Sequence, residues 1–340
     1  MKNLLQIPKI YANNSFGGEI MKYMVGLNNQ NITFLENIID NKEHIYEVYF
    51  SWGNIPNGRN LQTQSEQYTE WEMQKWQDDA LKKLSINNIL LNLLLNANCY
   101  GKDSQSRSFF NKIGNTIDYI KRTYGLNSIT TTSPLIAKFV KNNFKDITLR
   151  ASVNMEIGTV SAMEYVADLF DGYYMKREYN RDFQKIKELK NWCDVNGKKL
   201  FMLANSGCLN FCPAHNFHDN LVSHESEIAK MDNAYNFVGI CRDFLKDEKN
   251  YPKLLECTNF VRPENIYKYE GLFESVKLAT RVHSNPKVIL ESYINQKYIG
   301  DILRLLEPTF SIYPYILENG DPLKLVKLSL DNNKSEEKYD

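Results

Sequence analysis

The chain has 340 residues with 41 Lys or Arg and 41 Asp or Glu, so its formal net charge is zero. That balance gives no strong nucleic-acid signature, and local basic runs such as 138–145 read as solvated helix faces. The longest apolar run, residues 86–99, is too short to cross a membrane and is interrupted by asparagines. The apolar segment before Pro8 is too short for a secretory signal. The expectation is a cytoplasmic protein in a reducing compartment, able to build its core without disulfides.

Predicted elements follow one rhythm along the chain. Residues 45–52 (IYEVYFSW) read as a strand and 68–84 as an amphipathic helix. Residues 88–98 are the next strand, and 109–125 a helix stopped by Gly125. Strand 128–133 leads into a helix with Ser133 as N-cap and Pro134 at its first position. Strands 147–155, 171–179 and 198–206 then alternate with helices 159–170 and 181–197. Residues 236–244, 258–262 or both are expected to supply a seventh strand. Strand 275–281 is the eighth, and 284–306 closes with helix.

Eight such βα units predict an α/β fold, a (β/α)8 TIM-like barrel with a metal-binding loop after strand six. A doubly wound sheet is the alternative, but no glycine-rich phosphate loop follows the first strand. On this reading residues 1–44 are a lead-in, 45–306 the barrel, and 307–340 an extension with a frayed tail. The polar segment 53–67 is expected to form a mobile loop at the barrel mouth.

Four of the six cysteines, Cys208, Cys212, Cys241 and Cys257, fall between residues 208 and 257. Two close thiols and two distant ones can converge on one soft metal centre. His215, His218 and His224 lie in the same run, so Cys208, Cys212, His215 and His218 could instead hold zinc. Cys99 and Cys193 read as core residues. In a parallel barrel, chemistry sits at the C-terminal strand ends. Asn154, Glu178 and Arg281 are expected to line a ligand pocket there, with Asn205 and His283 at neighbouring strand ends. Glu178, His218 and Arg281 are the candidate catalytic groups. Asn154, Asn205, His224 and His283 are the candidate substrate-binding groups, and Asp219 lies among the candidates around the metal.

The segments ANSGCLNFCPAHNFHDNLVSH (204–224) and TNFVRPENIYKYEGLFESVKLATR (258–281) resemble peptidase family U-thirty-two, the collagenase-like proteins. The run Ser275-Val-Lys277-Leu-Ala-Thr-Arg281 is similar to the family phrase "dsFKIeGR". ITLRASVNMEIGTVSAMEYV (147–166) looks like the family's strand with a terminal Asn and a following helix. The resemblance spans about residues 45–306. It implies a barrel in which four cysteines hold a [4Fe–4S] cluster, carried over to Cys208, Cys212, Cys241 and Cys257 by position and type. It also implies participation in oxygen-independent hydroxylation of quinone precursors or RNA bases.

Three functions follow. The first is a cluster-dependent redox enzyme acting on a small molecule, peptide or RNA base, with an electron donor or partner subunit. The second is a zinc hydrolase with Glu178 or Glu225 as general base, although no H-E-x-x-H helix is present. The third is a non-catalytic partner subunit with a structural metal.

Overall fold

A computed structural model describes residues 21–58, 69–235, 237, 239–312, 314–317 and 325–327. Eight parallel strands pair in chain order, and the last returns to the first to close a barrel. They are β1 (Tyr23–Gly26), β2 (Ile45–Phe50), β3 (Leu90–Leu95), β4 (Ser128–Thr131), β5 (Thr148–Ala151), β6 (Gly172–Tyr174), β7 (Lys199–Leu203) and β8 (Ser275–Lys277). Around them run α1 (Phe34–Asp40), α2 (Glu70–Ile86), α3 (Arg107–Tyr124), α4 (Pro134–Asn143), α5 (Val160–Glu164) and α6 (Phe183–Val195). The β7–β8 connection carries α7 (His215–Ser223), α8 (Glu225–Ile228), α9 (Ile240–Phe244) and α10 (Leu254–Cys257), and α11 (Pro286–Ile294) follows β8. The expected (β/α)8 architecture is the observed one.

Local chemistry explains the helix ends. Thr69 and Glu72 form a reciprocal capping box at the start of α2. Ser133 Oγ accepts the Ile136 N–H at 3.3 Å, and Pro134 takes the first position of α4, as expected. Gly125 ends α3 at φ 81°, a conformation that favours glycine.

The barrel reaches eight strands by a different route from the one expected. β1 lies inside the segment read as a lead-in, and all four of its residues are buried. A run that short, buried on both faces, shows no alternation to read. Neither 236–244 nor 258–262 supplies a barrel strand: α9 is a helical turn, and Thr258 makes an isolated bridge to Leu209. The cysteine loop therefore follows the seventh strand rather than the sixth, although it leaves the very segment expected. The helix expected over 284–306 stops at Ile294, just before Gln296 turns to φ 51°, and Ile302–Leu305 is a separate 3₁₀ turn. Of the expected mouth loop, residues 59–67 lie outside the described residues, as does the tail from 328. The C-terminal extension contributes the antiparallel pair β9 (Tyr315–Leu317) and β10 (Leu325–Lys327).

Alternate strand residues face inward and fill the barrel. Met24, Tyr49, Leu94, Val153, Tyr174, Phe201 and Leu203 form an apolar cluster distinct from the larger sheet–helix core. A polar layer lies beside it. Buried Arg150 pairs with buried Glu47, whose Oε2 accepts from Ser128 Oγ at 3.0 Å. Ser128 in turn accepts from Asn92, and Thr130 donates to Asn92 Oδ1 at 3.1 Å. The Arg150 guanidinium also stacks 4.6 Å from the Phe201 ring centroid.

Gly26, at the end of β1, lets the chain after β8 cross close above it. A Cβ there would sit 2.5 Å from Arg281 Cβ and 2.8 Å from its Cα. Gly26→Ala is expected to cost about 1–3 kcal/mol by overpacking. Thermal denaturation checks this; an unchanged midpoint would mean that the β1–β8 corner yields freely.

Candidate functional site

The strands open at their C-terminal ends on a cavity of about 130 Å³. Tyr49, Leu94, Leu203 and Lys277 rise into it from β2, β3, β7 and β8. Asn96, Asn154 and Arg177 reach it from the loops after β3, β5 and β6, and Arg281 from the chain after β8. Cys208, Cys212, Cys241, His215, His218 and Asp219 close one side from the β7–β8 connection. Glu307 and Pro308 form a further edge. That edge is held by a parallel bridge between Ser206 and Glu307, with Glu307 N–H donating to Asn205 O at 2.9 Å.

Backbone pairing brings the fourth cysteine to the same place. Leu209 and Thr258 form an antiparallel bridge. Asn210 N–H donates to Cys257 O at 2.6 Å, and Asn259 N–H donates to Cys208 O at 3.0 Å. Cys208 and Cys257 are thus diagonal neighbours across two short chain segments. Arg181 fastens the second segment by donating to the carbonyls of Leu255, Glu256 and Thr258 at 2.7, 2.8 and 2.6 Å. Cys257 itself lies outside the cavity lining. Burial raises the Cys241 thiol, and the nearby Cys208 and Cys212 sulfurs raise it further.

Arg177 is the electrostatic hub beside the sulfurs. Its Nη1 donates to Cys208 Sγ at 3.6 Å and its Nη2 to Asn154 Oδ1 at 3.3 Å. Nη2 also lies 3.6 Å from Asp219 Oδ2. Behind it, His215 Nδ1 is 2.9 Å from Glu156 Oε1 and 3.8 Å from Glu178 Oε1. Burial, and then the Arg177 and Lys176 charges, push His215 down to about 3, so the ring is neutral at pH 7. Glu178 Oε2 is buried with no hydrogen-bond partner among the described residues. Glu156, Glu178 and His215 bring three donor atoms within 4.8 Å of one another. The cysteine sulfurs form no such compact group of three among the described residues.

Lys277 is buried, and its Nζ lies 4.0 Å from the Tyr49 ring centroid and 5.3 Å from that of Tyr174. Burial lowers its pKa to about 7, with Arg281 the next contributor and Arg150 and Arg177 adding to it, against a raising effect from Glu47. The folded value lies below the ordinary lysine value of 10.5. The unfolded chain therefore binds more protons between these two values, and the penalty is full below pH 7 and gone above 10.5. Lys277→Met is expected to stabilise the fold by about 1–4 kcal/mol at pH 6, with the gain shrinking toward pH 10. Denaturant midpoints across that range check it; a gain that does not change with pH would mean that the lysine is not desolvated.

The candidate residues separate into three groups. Asn154, His218 and Arg281 line the cavity together with Cys208, Cys212 and Cys241. Glu178 sits behind the wall, against His215. Asn205, His224 and His283 are elsewhere. Asn205 bolts β7 to the chain beyond β8, donating to Ala279 O and Leu305 O and accepting the Ala279 N–H at 2.6 Å. His283 Nδ1 accepts the Asn285 N–H at 3.0 Å at the start of α11. His224 pairs with Glu227 at 2.9 Å beside Cys99. That contact corrects the reading of Cys99 as core. It is partly exposed, accepts the Gly101 N–H at 3.4 Å, and is lowered by hydrogen bonding to His224. Cys193 is core as expected, its thiol pushed up to about 12 by burial.

Tyr49, Arg177 and Lys277 were not singled out from the sequence. Lys277 had a usable signal: it shares the period-two face of Ala279 and Arg281, and all three line the cavity. Arg177 had none, because its role depends on a loop 31 residues further on.

The fold and its mouth define a closed parallel-barrel protein with a thiol-lined cavity at the C-terminal ends of its strands. No family model matches the chain. It is 24% identical over 238 residues to the uncharacterized protease MJ1657 of Methanocaldococcus jannaschii, covering 68% of this chain and 69% of that protein. Its fold is similar to that of the U32 peptidase Mk0906, with a TM-score of 0.56 and 15% identity, covering 78% of this chain and 94% of that one. The resemblance to the U32 peptidases read from the motifs is thus borne out in fold. Among the described residues no helix is long and apolar enough to cross a membrane.

Proposed function

We propose that this chain is a [4Fe–4S]-dependent enzyme, with Cys208, Cys212, Cys241 and Cys257 as ligands, that carries out an oxygen-independent redox or hydroxylation reaction at the barrel mouth. The observation that carries the reading is the convergence of those cysteines: three line one cavity and the fourth is pinned beside Cys208 by backbone pairing. Zinc holds thiolates at about 2.3 Å, which places its ligand atoms within about 4 Å of one another. Among the described residues no three of the sulfurs lie within 4.8 Å of one another, which supports a multi-iron cluster over a single zinc ion.

Bound there, the cluster supplies electrons or Lewis acidity. Arg177 donates to the Cys208 sulfur and offsets thiolate charge, a contact of the kind that sets cluster potentials. Arg281 anchors an anionic or carbonyl oxygen of the substrate, and Asn154, in the same lining, orients it. Leu94, Val153 and Leu203 keep the floor apolar and limit water. His218, in the cavity lining, exchanges a proton with the substrate, and Glu178 positions His215.

A second reading, a zinc-dependent hydrolase, is favoured by the Glu156, Glu178 and His215 group. One measurement separates the two. The anaerobically purified protein is expected to be brown, with about four irons and acid-labile sulfide per chain. One equivalent of zinc without sulfide would select the hydrolase.

A further inference from the structure

Among the described residues Lys277 is the cavity's one lysine, and the roles above leave it unused. It ends β8, is 8% exposed, and lines the C-terminal mouth. Among the described residues its Nζ makes no hydrogen bond or ion pair; its neighbours are the faces of Tyr49 and Tyr174. The nearby carboxylate of Glu47 is engaged by Arg150. Burying an ammonium without an acid is costly, so the surroundings favour the neutral amine. The two aromatic faces act the other way, by cation–π attraction, and leave a share of both forms near neutral pH.

A lysine becomes a nucleophile when it is desolvated or set beside another cation. Lys277 meets both conditions, because Arg281 lines the same cavity and its charge acts on the amine. A guanidinium binds a carboxylate or phosphate bidentately. The site therefore holds an amine and a guanidinium in one lining. Its volume of about 130 Å³ is below that of pockets for drug-sized ligands, which suits a molecule of a few heavy atoms.

We infer that Lys277 forms an imine with a small oxo acid, an aldehyde or ketone whose anionic group is held by Arg281. The neutral Nζ adds to the carbonyl carbon, forming a C–N bond while the π pair moves to oxygen. The oxygen then leaves as water, carrying the two hydrogens that Nζ held, and a C=N bond remains. No oxidant or reductant is needed. The inference rests on the cavity being the substrate site and is independent of the metal.

The test uses the full chain, purified anaerobically, incubated with glyoxylate or pyruvate and sodium cyanoborohydride, then mapped by peptide mass spectrometry. The reduced adduct is expected on the Lys277 peptide at about ten times the occupancy of any surface lysine. Acetaldehyde, which lacks the carboxylate, is expected to label Lys277 more slowly. Adduct spread evenly over surface lysines would overturn the imine, and equal rates for glyoxylate and acetaldehyde would overturn the oxo-acid assignment. Lys277→Met should abolish the specific adduct while the remaining lysines label as before; the wild-type map decides alone if that variant does not fold. Failed trapping with iron retained removes this inference and leaves the proposed function standing. Trapping at Lys277 with no iron does the reverse.

Discussion

Cys208→Ala and Cys212→Ala are each expected to strip the anaerobically purified protein of most of its iron, whereas Cys193→Ala and Cys99→Ala should retain it. A cubane is held chiefly by its thiolates, and losing one removes both a bond and a share of the charge that balances the irons. Cys208 and Cys212 leave β7 together and face the cavity that Cys241 completes. Cys193 is buried on α6 and Cys99 lies beside His224, so neither reaches the cavity lining. Iron per chain, read with the visible spectrum and the melting midpoint on one preparation, decides the matter. Equal iron loss in all four variants, with lowered midpoints, would point to general misfolding and take the cysteine loop out of the metal site.

Glu47→Ala carries the largest stability effect expected inside the barrel. It leaves Arg150, itself buried, without its carboxylate, and it also removes the acceptor of the Ser128 hydroxyl. Breaking one side of a buried pair typically costs about 3–5 kcal/mol, because the surviving charge stays desolvated. The double variant Glu47→Leu with Arg150→Met should recover most of that loss, since the space is then filled without charge. Urea denaturation of the single and double variants measures both. A Glu47→Ala cost under about 1 kcal/mol would mean that water reaches Arg150 from the bottom of the barrel.

The barrel itself was legible in the sequence because its signals are local. The Ser133–Pro134 start, the Gly125 stop and the apolar strands at 45–50, 90–95 and 199–203 each occupy a few consecutive residues. Each states its own geometry through periodicity and capping. β1 leaves no such signal because four buried residues carry no period, and the longer runs at 236–244 and 258–262 resemble a strand more closely. The cysteine grouping was legible for a similar reason: thiols are rare in this chain and four fall close together.

What the sequence by itself determined was the alternation of strands and helices, the composition of the cysteine loop, and the shared parity of Lys277 and Arg281 at the end of the barrel. What only the tertiary structure decided was which of the polar residues share a space. Asn205, His224 and His283 look as suitable as Asn154 and His218 by type and position. They differ in where partners from distant segments lie. Asn205 meets the carbonyls of Ala279 and Leu305, while Asn154 meets Arg177 at the cavity wall. The pinning of Cys257 beside Cys208 and the desolvation of Lys277 are decided the same way. A residue's type sets which bonds it can make, but closure of the barrel sets which partners, and how little water, it meets.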